Sequence, residues 1–259
     1  VSAPQWFETP GDVLNLEIPP RRWLLDPVLP TEGLVLLAAP PKTAKTTLAL
    51  QVSEWLGVDH QAGHGFDQHA GWWEGVRRPG PAGPVVWLQA DATLRDWHTQ
   101  LSMMQLQPAA LVRTALLPAH WLADLSIREA VHTRLVEWAP HLTVVDSFDM
   151  AAPSTSNLNE RQGVMAALSL IESLIPAGTP WLLLHHLRKP PQGGDVRWAA
   201  PSGYHGLVAR ASVIWSLARH AHGVALTVEG RGVGTPLAWT GSLGGPASQH
   251  RVTLRRVDP

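Results

Sequence analysis

The sequence predicts an α/β protein: a mainly parallel sheet flanked by helices, with an antiparallel C-terminal extension. Three observations carry this. From residue 34 to residue 186, short continuously apolar runs alternate with stretches of helical periodicity. Strands buried on both faces of a parallel sheet read as such runs. Next, the stretch Leu34 to Leu48 passes from an apolar strand through a small-residue loop into Lys45-Thr46-Thr47 and a helix, which is the order of a phosphate-binding loop. Last, beyond about residue 210, apolar segments follow one another without helices between them, as antiparallel strands do.

Each element follows from local chemistry. Residues 1–30 are punctuated by proline and read as an extended N-terminal segment, with Arg21-Arg22-Trp23-Leu24-Leu25 as an anchoring patch; residues 31–259 read as a single domain. The first strand is Leu34 to Ala38, and the helix after the loop runs from Leu48 to Leu56. Residues 57–84, rich in Gly, His, Trp and Pro, read as a long loop. Val85 to Leu88 is a second buried strand, Thr93 to Met104 a helix and Leu111 to Leu117 a third strand. Ile127 to Trp138 has apolar residues at Ala130, Val131, Leu135 and Trp138, a helical spacing. Leu142 to Val145 is a strand ending at Asp146, Asn159 to Ile175 a helix, and Trp181 to Leu184 a strand ending at His185-His186. A Pro/Gly-rich loop covers 190–206. Ala211 to Leu217, Val224 to Val228 and Leu237 to Trp239 are the later strands, with 251–257 as a candidate further one.

Composition narrows the function classes. At 259 residues with 45% apolar content the chain can bury a full core. Its formal net charge of −1 gives no global basic signature, so any nucleic-acid contact has to be local. The absence of cysteine excludes disulfides and thiolate metal sites. No apolar run reaches the ~18 residues of a membrane span, and Val1 to Pro10 lacks the layout of a signal peptide. The expected location is cytoplasmic, with no membrane partner. The 13 Trp, against one Tyr and three Phe, lie mostly at the ends of apolar segments and read as packing. His60, His64 and His69 fit neither one helix face nor one strand, so no metal centre is expected there.

The phosphate loop explains its own residues. Pro41, Lys42, Thr43, Ala44, Lys45, Thr46 and Thr47 would wrap the phosphates, with backbone N–H groups and a helix N-terminus as the anion cradle. Lys45 would reach the β- and γ-phosphates of ATP, and the Thr46 hydroxyl would hold Mg²⁺. The pattern G-x-x-x-x-G-K-[ST] has Gly where this chain has Ala39 and Ala44, and an Ala held at positive φ costs about 1–2 kcal/mol. Asp146, at the end of an apolar strand, has the setting of the acid that holds Mg²⁺ in such sites. Lys45, Asp91, Asp146 and His186 all fall at the carboxyl ends of strands, where open parallel sheets bind their ligands.

These motifs together resemble the RecA-like ATPases of the RepA branch, the hexameric plasmid-replicative helicases and their relatives, over about residues 20–240. Pro41-Lys42-Thr43-Ala44-Lys45-Thr46 is similar to their Pro-Lys-x-Gly-Lys-[ST] loop, and Val144-Val145-Asp146-Ser147 to their Mg²⁺-binding strand end. Leu184-His185-His186-Leu187-Arg188-Lys189 resembles their His-His-x-Arg-Lys strand end, and Glu229-Gly230-Arg231-Gly232 their Lys-x-Arg turn. The resemblance implies a RecA-like P-loop NTPase that binds ATP and Mg²⁺, assembles as a homo-oligomer (a hexameric ring in the family) and acts on single-stranded DNA in replication or repair. It implies that His186 senses the γ-phosphate and Arg231 reaches a neighbouring subunit's nucleotide. It also implies that the loop carrying Arg188, Lys189 and Arg197 grips the DNA backbone, with Trp198, Tyr204 and His205 stacking on bases.

The departures count as well. In the family the second strand ends in a Glu that activates the attacking water; here Ala90 falls at that place, with Asp91 one residue on, and Glu229 replaces a Lys. Two readings stay open: an ATPase or helicase with weakened hydrolysis, in which Asp91 serves as base with a shifted register, or a degenerate nucleotide- and DNA-binding accessory protein.

Overall fold

A computed structural model of the chain describes residues 9–58, 72–107, 110–187, 204–220, 223–243 and 251–257. The lead-in is not extended throughout. Pro10–Leu14 forms a short helix, α1, and Trp23–Leu25 (β1) pairs antiparallel with Leu29–Pro30 (β2). The hairpin forms because Leu25, Val28 and Leu29 are fully buried in the main core.

Next in order come β3 (Leu34–Ala39), α2 (Lys45–Gly57), β4 (Val85–Gln89), α3 (Leu94–Met104) and β5 (Val112–Leu116). A 3₁₀ turn at Trp121–Ala123 leads into α4 (Leu125–Trp138), then β6 (Leu142–Asp146), α5 (Phe148–Ala151), α6 (Arg161–Leu174) and β7 (Trp181–His186). The chain closes with α7 (Tyr204–Arg210), β8 (Val213–His220), β9 (Gly223–Gly230), β10 (Leu237–Leu243) and β11 (Val252–Val257). The helix α2 starts three residues before its expected position, so that Lys45, Thr46 and Thr47 form its first turn. Besides α1, two helices were not legible in the sequence. One is the four-residue α5. The other is α7, which opens inside the segment read as a loop and is held by Leu207, fully buried beside α6 residues.

Among the described residues, nine strands form one sheet in the order β11-β10-β9-β8-β3-β7-β6-β4-β5. The block from β8 to β5 is parallel, and β9, β10 and β11 continue it antiparallel. The strand residues alternate between two cores. Val35, Leu37, Trp87, Val144 and Leu184 pack on the side of α2 and α3. Leu36, Leu88, Val145 and Leu183 pack on the side of α4 and α6. The antiparallel extension buries one face only, with Val224, Leu226 and Val228 turned to the first core, the period-2 pattern of a half-covered sheet.

Helix α2 is buried on every side, from Leu48 to Gly57 without a break. Its polar residues are therefore all engaged, as buried polar groups have to be. Gln51 donates to Val252 O (3.1 Å) and accepts from Val252 N–H (2.6 Å). Glu54, fully buried, takes Arg251 at 2.9 Å and the N–H of Gln107 at 2.8 Å. Arg78, in the segment read as a long loop, donates to Trp55 O and Val58 O at 2.7 and 2.8 Å and caps the helix C-terminus. Among the described residues a tryptophan cluster packs as expected: Trp73 meets Trp72, Trp215 and Trp239 at ring-centroid distances of 5.3, 5.2 and 5.7 Å.

Candidate functional site

The loop between β3 and α2 bends sharply enough that Lys42 and Ala44 take positive φ, 61° and 68°. Ala44 therefore bears the strain that Gly would avoid. Ala39 does not, because it is the last residue of β3. Pro41 and Lys42 are exposed at the loop tip, while Thr43 is buried and donates to Pro40 O at 2.6 Å, bracing the turn. No side chain caps α2, whose N-cap is Ala44. The N–H groups of its first turn, which carries Lys45, Thr46 and Thr47, thus face the loop as donors.

Lys45 turns back over this loop. Its Nζ donates to Ala39 O (2.9 Å) and Pro40 O (3.0 Å) and lies 3.0 Å from His186 Nδ1. Burial pulls its pKa down to about 8, against the opposing charges of Asp146, Asp149 and Asp91. Thr46 Oγ1 donates to Asp146 Oδ2 at 3.0 Å, and Gln89 Nε2 reaches the same oxygen at 3.2 Å. Asp146 is 2% exposed, and burial pushes its carboxyl up to about 6 even though Thr46 and Gln89 hydrogen-bond to it. Thr46 and Asp146 supply hard oxygen donors side by side. That set fits Mg²⁺, which keeps several waters and takes few protein ligands beside the substrate's phosphates. No cluster of three His, Asp or Glu suited to a metal exists among the described residues.

Strand alternation sorts the remaining candidates. Leu182 and Leu184 face the α2 side, so His186 does too, and it meets the loop. His185 faces the other way, edge-on to Phe148 at 6.0 Å. His186 Nε2 lies 3.0 Å from Asp91 Oδ2. Asp91 follows the end of β4 and is held by its own N–H, which donates to Gln89 Oε1 at 2.8 Å. Ala90 points away from the site, packed in the second core beside Val86 and Leu88. Position 90 therefore could not present a carboxylate to the loop; positions 89 and 91 do face it.

Three site residues were missed in the sequence. Gln89 has a signal, a polar residue closing an otherwise apolar strand. Asp149 accepts the N–H of His186 at 3.1 Å and lies 3.2 Å from His185 Nδ1, fixing the end of β7. Burial alone would raise the Asp149 carboxyl, but the His185 contact and the His186 N–H outweigh it and hold it below its usual value. Arg219, at the end of β8, donates to Lys42 O at 3.3 Å; nothing in the sequence marks it.

Arg231 is not brought to this site. It follows β9, and Gly230 pairs with Val213, beside the starting end of β3. It lies across the sheet from the phosphate loop and donates to Ala209 O at 3.3 Å. Arg188, Lys189, Arg197 and Trp198 lie outside the described residues, as do His60, His64 and His69; His205 is exposed.

A family model described as an AAA domain matches residues 4–192. Among solved structures, a KaiC-like protein from the hyperthermophilic archaeon Pyrococcus horikoshii OT3 superposes with a TM-score of 0.58 at 13% identity. The match covers 90% of this chain and 93% of that one, a likeness of fold. No curated protein matches significantly.

Proposed function

The chain belongs to the AAA-domain family and has the RecA-like fold of P-loop ATPases; from this we propose that it binds ATP with Mg²⁺ and hydrolyses it as a homo-oligomer working on single-stranded DNA. The observation that carries the reading is the Thr46–Asp146 hydrogen bond of 3.0 Å beside Lys45, since it joins the loop, the helix start and a strand-end acid at one point. In this reading Lys45 and the first turn of α2 hold the phosphates. Thr46 and Asp146 hold the ion, which screens the charge developing between the β- and γ-phosphates. His186 stands at the γ-phosphate end of the site.

The DNA assignment rests on the sequence alone, in which Arg188 and Lys189 come two and three residues after His186, with Arg197 nine residues beyond Arg188. Since the chain has a net charge of −1, such a local cationic segment is what a single strand would bind. Kinship to the RepA-type helicases, and a ring, belong to the same proposal. Arg231, remote from its own loop, could meet a nucleotide only in such an assembly. The other reading, a nucleotide-binding accessory protein without unwinding activity, is favoured by the lack of a Glu at the end of β4, which reads Gln89-Ala90-Asp91, and by Glu229, where that family carries Lys.

The experiment is ATP binding, ATP turnover and mass in solution, each with and without Mg²⁺ and single-stranded DNA. Lys45→Ala is expected to abolish ATP binding while the variant melts no lower than the parent, since it removes a buried charge. Unchanged affinity in that variant would overturn the site. Binding without turnover under all conditions would favour the accessory reading.

A further inference from the structure

We propose that His186, oriented by Asp91, takes the proton from the water that attacks the γ-phosphate, with Nδ1 as the accepting atom. This rests on the ATPase reading above and deepens it, because that reading leaves the base without a definite group.

The two ring nitrogens of His186 have one partner each: Lys45 Nζ at 3.0 Å from Nδ1, and Asp91 Oδ2 at 3.0 Å from Nε2. An ammonium can only donate and a carboxylate can only accept. The ring is therefore held neutral with its hydrogen on Nε2, donating to Asp91, and its lone pair on Nδ1, facing the loop. A carboxylate behind an imidazole, fixing its tautomer and stabilising the imidazolium, is how a histidine is made a base in hydrolases of unrelated folds.

Lys45 covers Nδ1 only while it is turned onto its own loop, where it also donates to Ala39 O and Pro40 O. A triphosphate in the cradle presents anionic oxygens to the same ammonium, and these outcompete neutral carbonyls. When Lys45 turns to them, Nδ1 is uncovered at the phosphate end of the site. Nucleotide binding itself thus arms the base.

The step balances. The water oxygen forms a bond to the γ-phosphorus while the bond from that phosphorus to the β–γ bridging oxygen breaks, its electron pair leaving with ADP. The water's proton passes to His186 Nδ1, and the imidazolium rests against Asp91 until it returns the proton to solvent. The other carboxylates nearby are committed. Asp146 accepts from Thr46 and Gln89, and Asp149 accepts from the N–H of His186 and meets His185. Among the described residues, the charged groups around His186 are thus Lys45 from α2, Asp91 after β4, Asp146 from β6 and Asp149 from α5.

The test is single-turnover hydrolysis of ATP with Mg²⁺ across pH, beside direct ATP binding and melting, in the parent, His186→Gln, Asp91→Asn, Asp91→Glu and the double variant His186→Gln/Asp91→Asn. The expected result is a fall of ~10²-fold or more in rate for His186→Gln, with ATP affinity and melting little changed. The acidic limb of the pH–rate profile, read at saturating ATP and Mg²⁺ so that the fall in affinity at low pH does not enter, should disappear. Asp91→Asn should slow the reaction through the wrong tautomer, Asp91→Glu should recover part of the rate, and the double variant should be no slower than His186→Gln. Rates and pH limbs that survive in His186→Gln overturn the proposal, as does additive loss in the double variant. A parent that binds ATP but does not turn it over also overturns it while leaving the nucleotide site standing. A parent that binds no ATP removes the underlying reading.

Discussion

Asp146 shows what the site costs the fold. Its carboxyl is almost wholly buried, and burial pushes it up to about 6, whereas in the unfolded chain it titrates near about 4. Between those values the folded chain holds a proton that the unfolded chain has lost. Stability therefore falls as pH rises through this window, and the penalty is complete above it, at ~3 kcal/mol at most. Asp146→Asn, which keeps an oxygen for Thr46, is expected to stabilise the nucleotide-free protein by about 1–2 kcal/mol at pH 7 and to lose Mg²⁺-dependent nucleotide binding. Melting at pH 7 and pH 5 checks this: the advantage of the variant should shrink at the lower pH. A variant melting below the parent at pH 7 would show that the carboxylate is better compensated than its burial implies. Binding needs Asp146 ionised and Lys45 charged, and burial lowers Lys45 to about 8. Affinity for ATP with Mg²⁺ should accordingly be highest between about pH 6 and 8 and fall on both sides.

Among elements, the strand ends do the work and the connections vary. Ala39, the last residue of β3, pairs with His186 of β7, and Gln89 of β4 pairs with Asp146 of β6, so register alone lines the polar residues along one edge. The segment after β7 carries the proposed DNA contacts. Replacing Lys189 and Arg197 by Ala is expected to weaken single-strand binding and to flatten its salt dependence, by about 0.7 in the log–log slope for each phosphate no longer neutralised. A slope that does not move would put DNA elsewhere on the protein, and no binding in the parent would remove the DNA assignment while leaving the nucleotide site untouched.

Across the whole molecule, the tryptophans join parts that are far apart in sequence. Trp215 of β8 is fully buried, stacks edge-on against Trp73 and donates to Val28 O at 3.0 Å beside the β1–β2 hairpin. It thus ties the lead-in and the segment around Trp73 to the sheet. Trp215→Ala should cost about 3–5 kcal/mol, seen as a lower melting temperature. A cost well under that would mean the cluster can collapse into the space left. No helix among the described residues is long and apolar enough to cross a membrane.

The sequence by itself determined the parallel sheet, the order of its strands along the chain and the phosphate loop. Each is written in local patterns: apolar runs of strand length, helical spacing, and a Lys-Thr pair at a helix start. It also determined that His185 and His186 face opposite ways, because strand alternation is a local rule. Only the tertiary structure decided which of the two meets Lys45, since that depends on β7 lying beside β3. It decided that Ala90 packs in the core while Gln89 and Asp91 face the site, because the register of β4 against β6 is set by contacts across the sheet. It decided, too, that Asp149 anchors the end of β7, that Arg78 caps α2 and that Arg231 lies at the far edge from its own loop. Those are meetings of residues 20 to 60 positions apart or more, and side-chain type and spacing along a chain do not encode distance in space.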